Sequence, residues 1–491
     1  VQVLLMIYVL TALWLAVYGF NALILIALHL RRRGPTPPPP PLTHFPTVTV
    51  QLPIFNELYV VRRLIDSVAA LDYPRDRLEI QVLDDSTDET TTIARAQVAA
   101  HRARGVNIRL LHRQHRHGFK AGALRDGLAV AHGEFIAIFD ADFQPRPDFL
   151  RLILPYFQAD PQLGLVQARW GHLNADYSWL TRAQALGIDG HFIIEQAARN
   201  RNGLWMNFNG SAGVWRRTCI ESAGNWQTDT LAEDLDLSYR AQFAGWRFLF
   251  LPDVIAPAEV PPQIHAFKAQ QFRWAKGAIQ CARKHWRNLL SAPCSPFIKW
   301  QGFIHLTNYL AHPLLIILLL TAVPIMNQRH VLLTALAYLS IATIGPPALY
   351  TLTLRTLYPD WQRRLFHLPW LMLLGTGIAL NNSLAVYEAL AGHPSSFKRT
   401  PKFRVENASD RWADKPYTLP FSPLAFGELA LAAYALGSIL LALAWGNLFI
   451  VPYLLLYALG FGYVGILTVI HSLKTNLLVR VLEKHHQALK I

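Results

Sequence analysis

An α/β domain set between membrane-spanning helices is the architecture that this 491-residue sequence predicts. Three observations predict it. Residues 3 to 30 are almost wholly apolar, longer than the roughly 20 residues a helix needs to cross a bilayer. Long apolar stretches return near 303 to 325, 331 to 354, 424 to 445 and 448 to 470. Between about Thr47 and Leu290 no apolar run approaches that length, and short β-rich runs alternate with amphipathic helical segments, the pattern of an α/β domain. With 52% apolar and only 16% charged residues, the composition excludes a disordered chain.

The elements follow in order. Residues 1–30 form a first span, and the basic cluster Arg31-Arg32-Arg33 behind it faces the cytosol by the positive-inside rule. A signal peptide would carry its basic residues in front of a shorter apolar core. Residues 31–46, with seven prolines between Gly34 and Pro46, read as a stiff extended linker. Residues 47–290 are the α/β domain, and residues 291–491 a membrane domain with about four spans. Within it, the run Leu368 to Leu380 has 13 residues before Asn381-Asn382-Ser383, so 367–391 reads as an interfacial or re-entrant helix. Five spans then leave the loop 392–423, with Lys398, Arg399, Lys402, Arg404, Arg411 and Lys415, on the same cytosolic side as the α/β domain; the alternative of six spans would turn that basic loop outward, against the charge rule. The expectation is a multi-pass protein of the cell (inner) membrane. Its net charge of +14 is carried by these membrane-flanking clusters, so anionic lipid headgroups, not nucleic acid, are the expected counterpart. Cys219, Cys281 and Cys294 fit neither a disulfide framework nor a C-x-x-C metal site.

Four β-runs open the α/β domain: Val48 to Leu52, Leu78 to Leu83, Val106 to Leu111 and Phe135 to Phe139. Each is followed by polar residues: Asn56-Glu57, Asp84-Asp85, the approach to Lys120, and Asp140-Ala141-Asp142. Ligands of open parallel sheets bind beyond the carboxyl ends of the strands, so these groups converge on one nucleotide-sized site. Neither G-x-x-x-x-G-K-[ST] nor G-x-G-x-x-G occurs in the domain, so something else must hold the phosphate charge, and a metal is the obvious substitute. Asp140 and Asp142, two apart at a strand end, point the same way and can share Mg²⁺ or Mn²⁺. Asp84 and Asp85 either cap the following helix or accept hydrogen bonds from a base or ribose, and Lys120 either starts a helix or faces a diphosphate. Glu233-Asp234 opens an amphipathic helix, where acids complement the dipole or serve as a general base. Gln270 and Trp274 share a helix face beside Arg273, which suits helix packing or a sugar platform next to an anion-stabilising guanidinium.

Taken together, Asp84-Asp85, Asp140-x-Asp142, Glu233-Asp234 and Gln270-x-x-Arg273-Trp274 resemble the D, D-x-D, [TS]-x-E-D and Q-x-x-R-W signature of family 2 glycosyltransferases, in their cellulose-synthase-like branch. The segments 82–88, 139–145, 166–170 and 208–215 resemble the plant glucomannan-synthase and xyloglucan-backbone-synthase subfamilies in particular. The similarity covers roughly 44 to 290. Beyond it, Arg399-Thr400-Pro401-Lys402 resembles the gating-loop element before the last two spans.

The resemblance implies a GT-A (Rossmann-like) fold, an inverting mechanism, a metal cofactor (Mg²⁺ or Mn²⁺) and a UDP- or GDP-sugar donor, either UDP-glucose or GDP-mannose. By this resemblance Asn56, Glu57, Asp84, Asp85, Lys120 and Asp140 bind the nucleotide sugar, Asp140 and Asp142 the metal. Asp234, with Glu233, is the catalytic base; Trp170, Gln270, Arg273 and Trp274 line the acceptor site; Thr400 and Lys402 belong to the gating-like loop. One departure is that Thr230 precedes the acid pair as T-x-x-E-D, one place earlier than in the family. The implied product is a growing β-1,4-linked glucan or mannan exported across the membrane. The alternative is transfer of a single sugar to a membrane lipid, as ceramide glucosyltransferases perform.

Overall fold

The computed structural model describes residues 2–32, 34, 38–39, 41–326, 338–394, 399–407 and 409–488, with the backbone alone beyond residue 475. Its α/β part is one seven-stranded sheet: β1 (Val48–Ile54), β2 (Leu78–Asp84), β3 (Ile108–His112), β4 (Phe135–Ile138), β5 (Leu163–His172), β6 (Gly213–Arg216) and β7 (Arg247–Ala258). The spatial order is β3-β2-β1-β4-β6-β5-β7. Strands β1 to β4 are the four β-runs of the sequence, all parallel, with Val48 opposite both Leu78 and Phe135. The sheet is mixed, because β6 runs antiparallel between β4 and β5 while β5 and β7 are parallel.

Alternation places the two faces of the sheet. Val48, Val50, Leu52 and Ile54 lie on one face, in a core shared with the helices Val61–Ala69, Thr90–Ala103 and Phe149–Ala159. The opposite face of β1 and β2 is polar but equally buried. Thr49 donates to Glu79 at 2.7 Å and Gln51 to Gln81 at 3.1 Å. The helix Phe119–Ala129 closes over this ladder at Gly127, where a Cβ would meet Gln51 Nε2 at 2.7 Å. Further along, this layer holds Trp215, Trp226 and Leu237 under the helices Arg217–Ser222 and Glu233–Phe243. Both faces are covered, so the strand ends are where polar chemistry is exposed.

Among the described residues, four helices are long and apolar enough to cross a membrane: Gln2–Arg31, Pro296–Ile325, Leu424–Ala444 and Leu448–Thr475. The pair Trp361–Gly377 and Ala379–Ala391, bent by 42°, is a fifth candidate if counted as one span. The bend falls at Ile378, just ahead of Asn381-Asn382-Ser383. Of the expected span 331 to 354, residues 331–337 lie outside the described residues; a 3-10 turn Tyr338–Ile344 and the helix Gly345–Leu357 follow.

The 28-residue helix Ile264–Ser291 joins the two regions and is tied at both. Lys268 Nζ meets Glu428 at 2.6 Å, and Lys276 Nζ meets Glu388 at 2.7 Å and the His393 carbonyl at 2.8 Å. Towards the sheet, His285 Nε2 contacts the buried Asp236 carboxylate at 2.8 Å.

Candidate active site

Two adjoining cavities open at the carboxyl ends of the parallel strands, of about 740 and 600 Å³, and share Lys120, Asp140, Arg273 and Lys402 in their walls. The larger also takes Asp142, Trp170, Glu233, Asp234, Gln270 and Trp274. The smaller takes Glu57, Asp85, Arg399 and Thr400. Thirteen of the sequence-derived site residues therefore come together, drawn from four strand ends, three helices and the loop that holds Thr400 and Lys402. Asn56 and Asp84 line neither cavity. Asn56, at φ 54°, accepts from the Thr87 amide at 2.8 Å. Asp84 is fully buried behind the cavity, where it accepts from Ser86 N, Thr91 Oγ1 and sits 2.9 Å from His112 Nδ1. Its chemistry here is to fix the turn that presents Asp85. Thr230 also lines neither cavity.

The centre is an alternation of charge. Lys120 Nζ, in the first turn of its helix, lies 2.7 Å from Asp140 Oδ1, 3.7 Å from Glu233 and 2.7 Å from the Gly210 carbonyl. Burial alone would lower the Lys120 pKa, but Asp140 and Glu233 outweigh it and hold it above the ordinary lysine value. Asp234 is the reverse case. Burial first, and then the charge of Glu233, push its carboxyl up to about 7, with Lys120 opposing. The turn before β6 makes the close approach possible: Gly210 has φ 82°, and a Cβ there would meet Asp234 Oδ2 at 2.9 Å. That turn also anchors its neighbours, since Asp140 N donates to Ser211 Oγ and Trp170 Nε1 to the Ser211 carbonyl.

The loop after Thr400 enters this centre through paired charges. Lys402 Nζ lies 2.8 Å from Asp142 Oδ2, and Arg399 lies 3.3 Å from Glu57. Glu259, at the carboxyl end of β7, accepts from the amides of Phe403 and Arg404 at 3.0 and 2.8 Å. Burial pushes Glu57 up to about 8 despite Arg399 and Lys402, and Glu259 up to about 7 despite its bond from Phe403. Asp142 keeps one oxygen, Oδ1, buried with no hydrogen-bond partner among the described residues, which is costly unless a cation or donor arrives there. Among the described residues no group of three or more His, Cys, Asp or Glu side chains has the arrangement of a protein-only metal cage. One or two carboxylates completed by phosphate oxygens is the habit of Mg²⁺ and Mn²⁺ sites, and Asp140 with the orphan oxygen of Asp142 fits it.

Sequence reasoning passed over Arg113, Arg116, Glu259, His172 and Asn209. Arg113 forks onto both oxygens of Asp85 at 2.7 and 2.6 Å, and Arg116 lies 3.5 Å over the Phe55 ring in the smaller cavity. The signal for both was the basic run Arg113-Gln-His-Arg116 after β3. Glu259 follows β7 directly and His172 is the last residue of β5, and neither stands within a motif.

A mixed α/β sheet with an acidic D-x-D at the end of a central strand, and a cavity of alternating charge with aromatic walls beyond it, is the arrangement of the GT-A class of fold. The comparisons agree. Residues 46–277 match the family model described as "Glycosyltransferase like family 2". Glucomannan 4-beta-mannosyltransferase 2 of Arabidopsis thaliana is 45% identical over 246 residues, covering 49% of this chain and 46% of the relative. Glucomannan 4-beta-mannosyltransferase 1 of Oryza sativa subsp. japonica is 43% identical over 260 residues, 52% of this chain and 50% of the relative. The chain thus spans about half the length of the curated relatives it matches. Among solved structures, the mannosyltransferase PcManGT from Pyrobaculum calidifontis, in complex with GDP-Man and Mn²⁺, superposes with a TM-score of 0.52 at 24% identity, covering 79% of this chain and all of that one, which supports the fold. Residues 46–277 are a glycosyltransferase family 2 domain of GT-A fold.

Proposed function

We propose that this protein is an inverting membrane hexosyltransferase that extends a β-1,4-linked mannan or glucan from a nucleotide sugar, GDP-mannose or UDP-glucose, and passes the polymer across the bilayer. One observation carries the reading: Lys120, Asp140, Asp142, Asp234, Gln270, Arg273 and Trp274 line a single cavity. The similarity to glucomannan mannosyltransferases favours a mannosyl donor and a polysaccharide acceptor over a lipid one.

In this reading the smaller cavity holds the nucleoside diphosphate and the larger one the sugars. Asp140 and Asp142 would hold Mg²⁺ or Mn²⁺, which neutralises charge on the diphosphate when bound. Asp234 accepts the proton of the acceptor hydroxyl as that oxygen bonds to the anomeric carbon and the carbon–phosphate-oxygen bond breaks. Lys120 and Arg273 face the departing diphosphate, and the single displacement converts an α-linked donor into a β-glycoside. Trp170 and Trp274 offer ring faces to pyranoses. The domain's place on the cytosolic side, the divisions 1–30, 31–46, 47–290 and 291–491, and roles for Asn56 and Asp84 beside the nucleotide belong to the same proposal.

The test is incorporation of label from GDP-mannose and from UDP-glucose by the detergent-solubilised full chain, with Mg²⁺ or Mn²⁺. Products that lengthen and are cut by a β-1,4-mannanase or glucanase are expected. A one-sugar product that partitions into organic solvent would refute the polymer reading.

A further inference from the structure

The wall of the larger cavity contains a hydrogen-bonded series that the reaction described above does not use. Trp170 and His172 are two apart on β5, so both project from the same face of the strand, and both line the cavity. The His172 ring is more than nine-tenths buried, and its Nε2 lies 2.9 Å from Asp189 Oδ1. Asp189 is itself buried, in the helix Trp179–Gly190, and its other oxygen lies 3.0 Å from the hydroxyl of Tyr358. Tyr358 comes from beyond the family 2 domain, at the end of the helix Gly345–Leu357.

The order of donors in this series is fixed by chemistry. Burial and the neighbouring carboxylate both keep the Tyr358 phenol protonated, so it donates to Asp189. An ionised Asp189 accepts only, so His172 donates from Nε2. In the neutral imidazole that donates from Nε2, the other ring nitrogen, Nδ1, carries the lone pair, and it has no hydrogen-bond partner among the described residues. The buried Asp189 carboxylate, held from its other oxygen by Tyr358, thus fixes the tautomer of a histidine in the wall of a sugar-sized cavity.

We infer that His172 binds the acceptor glycan, its Nδ1 accepting a hydrogen bond from a pyranose hydroxyl, and that Asp189 and Tyr358 are positioning residues that hold the ring in this tautomer. The inference rests on the hexosyltransferase reading and deepens it, because it names a group that selects the acceptor and does not touch the donor diphosphate. It also links acceptor binding to a residue outside residues 46–277.

Two isosteres separate this role from a structural one. In His172→Gln the side-chain amide can still donate to Asp189 but nothing replaces Nδ1; in His172→Asn an amide oxygen falls near the Nδ1 position and the bond to Asp189 is lost. With the full chain, a nucleotide-sugar donor and mannotetraose as acceptor, His172→Gln should raise the acceptor KM about tenfold with a smaller change in kcat, the loss of one bond made equally to ground and transition states. His172→Asn should recover to within about threefold of the parent, and Tyr358→Phe should raise the acceptor KM by about threefold. GDP titration of each variant reports folding. An acceptor KM unchanged in His172→Gln, or rescued by Gln and not by Asn, overturns the inference with the transferase reading intact. Loss of GDP binding in His172→Gln, together with an unchanged acceptor KM in Tyr358→Phe, overturns it too. If the parent chain transfers neither mannose nor glucose, the hexosyltransferase reading fails and this inference falls with it.

Discussion

Replacing Glu233 by glutamine isolates the property on which the chemistry of Asp234 depends. Burial lifts the Asp234 carboxyl to about 7, and the charge of Glu233 is the next cause. A base of that pKa is about one-tenth ionised at pH 6 and about nine-tenths at pH 8, so kcat/KM should rise roughly tenfold between them. An unperturbed aspartate, ionised throughout this range with a pKa of about 3.9, would give a flat profile. Glu233→Gln acts twice in the same direction. It removes the like charge, and it withdraws the carboxylate lying 3.7 Å from Lys120, leaving that ammonium to act more on Asp234. The rising limb should therefore move to lower pH by about one unit, equivalent to roughly 1.4 kcal/mol of interaction. The assay is the initial rate of sugar incorporation at low donor concentration from pH 5.5 to 8.5, with parent and variant in the same detergent. A parent profile that is flat over this interval, or a limb that stays in place or moves upward in Glu233→Gln, would refute the reasoning.

The remaining predictions concern single ties. Asp234→Asn should lower kcat by a factor of about 10² to 10⁴ while GDP or UDP titrations change little, as expected for loss of a general base. Asp236 is fully buried among His285, Arg240 and Lys284, and these outweigh burial to hold it down at about 2. Its contribution is present above the unfolded-state pKa and lost as pH falls through the folded one, so the melting temperature should drop between about pH 4 and pH 2, and less so in Asp236→Asn. Lys402→Met strips Asp142 of its cation partner; faster proteolysis or amide exchange at 399–417 should follow. Lys268→Met leaves Glu428 buried without a counter-ion and should cost about 3–5 kcal/mol in stability, whereas pairing it with Glu428→Leu should recover most of the loss in a denaturation series.

How far the sequence carries is set by whether a feature is local. Strands β1 to β4 were readable because each alternates or runs apolar and ends in a polar turn, and the D-x-D pair is legible because two residues on one strand share a direction. The buried face of β1 was not. Thr49 and Gln51 look like the solvent side of a half-buried strand, but they pair with Glu79 and Gln81 under a helix that Gly127 lets approach. The sheet's antiparallel β6 is four residues long, too short for any period to show. Asp84 and Asp85 are adjacent and chemically identical, yet the strand's alternation puts Asp84 behind the cavity and Asp85 in its wall. Glu259 and His172 gain meaning only from residues some 144 and 17 positions away, the Phe403 amide and the Asp189 carboxylate.

The charges around the cavity also show why the family 2 domain alone does not describe the site. Residues 46–277 contribute Glu57, Asp142 and Glu259, three buried carboxylates. Their partners are Arg399, Lys402 and the amides of Phe403 and Arg404, all from a loop well beyond that domain. The loop is clamped from its far side as well, by the contacts of Arg63 with Glu406 and of Tyr417 with Asp88. Uncompensated carboxylates in a buried wall are unfavourable, so with the loop withdrawn Glu57, Asp142 and Glu259 must take up protons, water or other cations. In the proposed reaction, Asp140 and Asp142 would hold a divalent ion that could replace Lys402 as the cation facing Asp142, leaving Lys402 and Arg399 available to phosphate oxygens. On that proposal, docking of the loop and loading of the donor would be linked through the same two carboxylate positions, Glu57 and Asp142. The helix Ile264–Ser291 carries the linkage to the membrane side, because Gln270, Arg273 and Trp274 sit between its anchors Lys268–Glu428 and Lys276–Glu388. The cavity wall that carries Gln270, Arg273 and Trp274 is therefore tied to the apolar helices at both ends, the arrangement that the proposed passage of polymer towards those helices requires.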